Sequence, residues 1–169
     1  MEVRMDFARL LAWDHWANGE ALSSVEALPA PPEKSLELLG HLMGAEVSWL
    51  DRMTRGRDPE DWEQWETADL PWLRNAWREV VPARWAAFLA DPVLSDPGRA
   101  FTYVNFLGKT MACRRVGDAS LQLIVHSAYH RGQVASAVRA AGGKPAVSDY
   151  LFALRSGILP WADGVREAC

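Results

Sequence analysis

The stretch ASLQLIVHSAYHRGQVASAVRAA, residues 119–141, decides the fold. Its apolar residues recur at spacings of three and four, the period of an α-helix with one buried face. Gly142 and Gly143 follow and Pro145 lies just beyond, a composition that ends helices. Asp118 stands where a side chain can cap the first turn. The stretch also carries His126 and His130. Four residues of helix advance about 6 Å and turn about 400°, so the two rings share a face one turn apart. Imidazoles so placed can meet on one divalent ion, with nitrogen–metal distances near 2.1 Å. Leu123, Val134 and Ala137 fall on the same side of the helical wheel, so the pair is expected to face packed structure rather than open water.

Working outward, three more helical segments of about 20 residues appear. Residues 5–27 place Phe7, Leu10, Leu11, Ala17, Ala21 and Val25 on one face. Pro29, Pro31 and Pro32 break that helix, and 33–54 forms the next, striped by Leu36, Leu39, Met43, Val47, Leu50 and Met53 and ended by Gly56. Residues 57–70 are polar around Trp62 and Trp65 and read as a long connection. The third helix spans 71–90, opening on Pro71, with Pro82 inside it expected to kink or split it. After a loop over 91–98, residues 101–116 alternate aromatic and β-branched side chains around Gly108 and Lys109, a hairpin pattern. Residues 149–156 read as a short last helix. The expectation is all-α: one domain over 1–169, a four-helix bundle with long connections, a small β-hairpin near 101–116 and a short C-terminal helix. The two long loops allow a topology other than simple up-and-down.

Composition narrows the function classes. The chain has 169 residues, 49% hydrophobic and 24% charged, with a net charge of −4. That balance, with no dense basic run, argues against nucleic-acid binding. No run of about 18 apolar residues suggests a membrane span, and no secretory leader is evident. Two cysteines, Cys113 and Cys169, form no disulfide framework, which fits a reducing cytoplasm. Cys113 reads better as a small hydrophobe than as a ligand. The nine tryptophans suit either a core or a pocket wall.

The remaining histidines are His15 and His41. His41 lies just past the edge of the second helix's stripe, beside Leu38 and Ala45. It is equally readable as a surface histidine or as a third metal ligand at a rim of the bundle. His15 lies further from its helix's apolar face and is expected to be exposed. Asp14 and Asn18 sit in the middle of the first helix's core face, and Glu46 interrupts the second stripe. Buried polar groups need partners. These could orient a metal-bound histidine or bond to a neighbouring helix, and Glu46 could pair with a buried arginine. The pair lacks the glutamate of HExxH, so a zincin mechanism is excluded. Three histidines with no fourth protein ligand would leave a coordination position for water or substrate, the arrangement of catalytic rather than structural zinc.

Three stretches carry a family resemblance: Trp13-Asp14-His15-Trp16-Ala17-Asn18, the run from Leu38 to Leu50 containing Gly40-His41-Leu42 and Ala45-Glu46-Val47, and His126-Ser127-Ala128-Tyr129-His130-Arg131-Gly132-Gln133. The tail Arg139 to Pro145 with Asp149 is similar too. Together they resemble the DinB family of four-helix-bundle proteins, over nearly the whole chain. The resemblance implies a metal triad of His41, His126 and His130 binding zinc or nickel. It also implies kinship with thiol-dependent transferases that use low-molecular-weight thiols. Asp14, Asn18, Glu46 and Arg131 would then be helpers around the site. The function so implied is activation of water or a small thiol for transfer to a small electrophile. The alternative is a metal- or ligand-binding stress protein without turnover, able to dimerise through an exposed helix face.

Overall fold

The computed structural model describes residues 6–60 and 69–159. The segment around Trp62 and Trp65, and Cys169, lie outside the described residues. Helix α1 spans Phe7–Glu26 and α2 spans Glu33–Arg55. The third long helix has three pieces: α3 over Leu70–Asn75, a π-helical turn over Ala76–Val80, and α4 over Val81–Ala90. Strands β1 (Phe101–Val104) and β2 (Thr110–Cys113) pair antiparallel, with Phe101 opposite Cys113 and Val104 opposite Thr110. Helix α5 covers Val116–Ala140, and the short α6 covers Tyr150–Arg155. The expected bundle, hairpin and terminal helix are all present. No described helix is long and apolar enough to cross a membrane.

Pro82 explains the form of the third helix. It has no N–H, and its ring collides with the carbonyl four residues back, at Arg78. The helix is interrupted just before it, as expected, by the π turn. The Val81 N–H instead reaches back five residues to the Ala76 carbonyl, and Pro82 falls within the first turn of α4, where a missing donor costs little.

Contacts along the helices give their directions. Phe7 lies against Gly117 near the starts of α1 and α5, and Leu28 meets Gly143 just beyond their ends, so those two helices run parallel. A β-carbon on Gly117 would stand 2.9 Å from the Phe7 ring, so the glycine permits that approach. Glu26, at the end of α1, pairs with Arg74 and Arg78, whereas Trp85 reaches Glu46 and Arg84 reaches Asp51 on α2. The third helix therefore runs alongside α2 in the same direction, and the bundle is up-down-down-up. The end of α2 and the start of α3 lie at opposite ends of it, which is why the connection between them is long.

The hairpin closes the lower end. Val104 exchanges backbone hydrogen bonds with the Gly56–Asp58 corner, where Gly56 adopts the left-handed conformation (φ 69°) that ends α2. The start of α5 corrects one expectation. The helix begins at Val116, and Asp118 is no cap; it pairs with Arg115. Loop carbonyls take over the role, with the Val116 N–H donating to Arg99 O (2.8 Å) and the Gly117 N–H to Pro97 O (2.9 Å). The core between the helices contains Leu22, Val25, Leu42, Met43, Leu50, Leu73, Val81, Leu123 and Val134, with Trp77 and Trp85.

Candidate metal centre and the buried polar cluster

The antiparallel packing of α2 against α5 brings the first half of α2 beside the middle of α5. His41 there meets His126 and His130. The Nε2 atoms of His41 and His126 are 2.9 Å apart, and the three ring centroids lie 4.5–4.9 Å from one another. One ligand nitrogen from each ring falls within 4.8 Å of the other two. Three nitrogens about 2.1 Å from a tetrahedral ion stand about 3.4 Å apart, so small ring rotations bring this set to coordination distance. The cluster includes no carboxylate or thiol among the described residues. His41 is exposed and the other two are half-buried, so the site opens at the flank of the bundle, with one side toward solvent. Burial lowers the proton affinity of His126, and the neighbouring His130 and His41 lower it further. Charging the His126 ring is therefore disfavoured. Tyr129, 66% exposed, sets its ring 5.1 Å from that of His130 at the rim.

A contact not foreseen from sequence lies behind His130. Its Nδ1 is 2.7 Å from Oε1 of Gln133, three residues on along α5. The local signal was a glutamine one turn after a histidine, within reach on the same face.

Residues 1–162 match the family described as DinB. The chain belongs to the DinB family. No curated protein and no solved structure matches it. Within this DinB-family bundle Asp14, Asn18, Glu46 and Arg131 come together with Trp85 as one buried cluster that joins all four long helices. Arg131 of α5 forms an ion pair with Asp14 of α1 and donates to Asn18 Oδ1 at 2.7 Å. Asn18 Nδ2 donates to Glu46 Oε1 of α2 at 3.3 Å, and Trp85 Nε1 of α4 donates to Glu46 Oε2 at 2.6 Å. Trp13 covers the guanidinium from above, 4.8 Å to the ring centre. The hydrogen bonds described here link these residues to one another and to Trp85. Arg131 directly follows His130 in sequence, which ties the cluster to the histidine helix.

His15 departs from expectation. Its ring is half-buried and stacked on Trp77 with centroids 5.4 Å apart, and its Nδ1 is covered. It points away from α1's own apolar face, but the third helix lays Trp77 across it. Burial lowers its proton affinity. Cys113 is half-buried at the hairpin, against the core, its Sγ 3.3 Å from Arg115 O.

Burial raises the carboxyls of Asp14 and Glu46, but Arg131 draws Asp14 back, whereas the Asp14 charge pushes Glu46 further up. Of the two carboxyls, Glu46 is the one held further toward its protonated form. In the unfolded chain Glu46 ionises near its ordinary value of 4.5, so the folded state holds its proton above that pH. Stability from this group is then full below about pH 4.5 and declines as pH rises through the folded value. Glu46→Gln keeps an acceptor for Trp85 and cannot ionise. Urea unfolding between pH 5 and 9 is expected to show a flatter pH dependence in the variant than in the wild type. Equal slopes would show that Glu46 carries no displaced proton.

Proposed function

We propose that His41, His126 and His130 bind one divalent ion, zinc or nickel, in an open three-histidine site. That site serves the transfer of water or a low-molecular-weight thiol to a small electrophilic substrate. One observation carries the reading: three imidazoles from two helices converge within 4.8 Å at a solvent-facing edge, with no anionic side chain among them. A divalent ion bound there would favour the deprotonated form of water or thiol at neutral pH. The protein's own residues do the rest. Three neutral ligands leave the ion's charge uncompensated, which favours an anionic fourth ligand from solvent. Arg131, anchored on Asp14 and Asn18, holds α5 in position one residue beyond His130 and so serves as a positioning residue. Asn18 and Glu46 complete its surroundings.

Protein purified without chelator is expected to contain about one equivalent of zinc or nickel by elemental analysis. The loaded protein is expected to consume a small thiol in the presence of an activated aryl halide, read by thiol titration. No metal as isolated and none gained on titration would overturn the metal site. Full loading with neither thiol consumption nor hydrolysis would overturn the catalytic half and leave a metal-binding protein without turnover.

A further inference from the structure

We infer that Gln133 is a positioning residue that fixes which nitrogen His130 offers to the site. The inference rests on the metal reading above for its purpose, but its structural basis stands apart. An amide Oε1 only accepts hydrogen bonds, so at 2.7 Å the facing Nδ1 of His130 must carry the proton. A neutral imidazole has one N–H, and its Nε2 is then left with a free lone pair. His41 and His126 already approach each other through their Nε2 atoms. With His130 held as the Nδ1–H tautomer, the site presents Nε2 from all three rings.

Gln133 is suited to this by position and by charge. It lies three residues after His130 on α5, so its side chain meets the ring without leaving its helix. Its neutral amide orients the ring and adds no negative charge to the centre. A carboxylate in its place would orient the ring equally and raise its basicity. The choice of an amide keeps the three-histidine set neutral, which favours an anionic fourth ligand.

The tautomer can be read without any metal. Long-range nitrogen–proton NMR of the metal-free protein is expected to show His130 as Nδ1–H. In Gln133→Leu the ring is expected to shift toward Nε2–H, the form that free imidazole side chains favour. Zinc affinity, measured by competition with a chromophoric chelator, is expected to fall roughly 10–100-fold in Gln133→Leu. It should recover or exceed the wild-type value in Gln133→Glu, with the melting temperature of the metal-free proteins unchanged. An Nε2–H tautomer in the wild type would overturn the inference, because the amide would then face the ring with its N–H₂. Wild-type zinc affinity in Gln133→Leu would overturn it too. If the wild type binds no zinc, the metal reading fails, and the tautomer alone decides the role of Gln133.

Discussion

Arg131→Met is expected to destabilise the protein by roughly 3–5 kcal/mol, the cost of leaving a buried charge without its partner. Arg131 is 4% exposed and Asp14 is fully buried. Methionine fills much of the same volume but donates nothing, so the Asn18 carbonyl loses this donor and the Asp14 carboxylate loses its charged partner, keeping the longer bond from Asn18 Nδ2 (3.4 Å). Water does not reach them without opening the contact between α1 and α5. For a chain of this size the loss corresponds to roughly 6–20 °C in melting temperature. Urea unfolding measures it directly. The double variant Asp14→Asn with Arg131→Met removes the orphaned charge as well and is expected to lose less than the sum of the single variants. A loss below about 1 kcal/mol in Arg131→Met would show that the pair does not hold the bundle together.

His126→Ala is expected to lower metal affinity by more than the roughly 10–100-fold that follows from disturbing an outer partner. His126 approaches His41 through Nε2 and lies one helical turn before His130. Without it no two-ring combination spans both helices except His41 with His130. The fold itself should tolerate the change. The ring is half-buried, disfavours its charged form there, and gives up only a contact among like groups. Equilibrium dialysis with zinc and calorimetry of the metal-free variant separate the two effects. Zinc loading at wild-type strength would exclude His126 as a ligand. In the wild type, protons compete for the same nitrogens, so zinc should be released as pH falls through the imidazole range. The lowered proton affinity of His126 delays that release toward more acidic pH.

How much of this was legible in the sequence depended on distance along the chain. His126 and His130 share one helix, so the period of the helix placed them together. His41 is separated from His126 by 85 residues, and its wheel position allowed a surface role equally well. Its helix position made it a better third-ligand candidate than His15, and the family resemblance then favoured the ligand reading. The burial of Asp14, Asn18 and Glu46 followed from their positions within apolar stripes, but no local pattern names the residue that answers a buried carboxylate across a bundle. Trp85 passed unnoticed for the opposite reason: a tryptophan fits any core, and its N–H chooses a partner only after the helices are packed. His15 was misread because the cover over it comes from another helix. Asp118 was misread because loop carbonyls from residues 97–99 reached the helix start first. Those are tertiary facts, set by packing rather than by propensity.

The π turn over Ala76–Val80 acts as a phase shifter. Relative to an α-helix, its wider turn takes up an additional residue, and each residue of α-helix corresponds to about 100° of rotation. Upstream of it, Arg74 faces Glu26; within it, Trp77 lies over His15; downstream, Trp85 faces Glu46 and Arg84 faces Asp51. Those four contacts are in register only because the turn is wide. Rewinding 76–80 at ordinary helical pitch without removing a residue would swing α4 by about 100°, taking Trp85 away from Glu46, whereas removing one residue together with the wide turn would leave the two halves in phase. Length and pitch are therefore coupled in this segment: the spacing between Trp77 and Trp85 fits the fold only together with the wide turn.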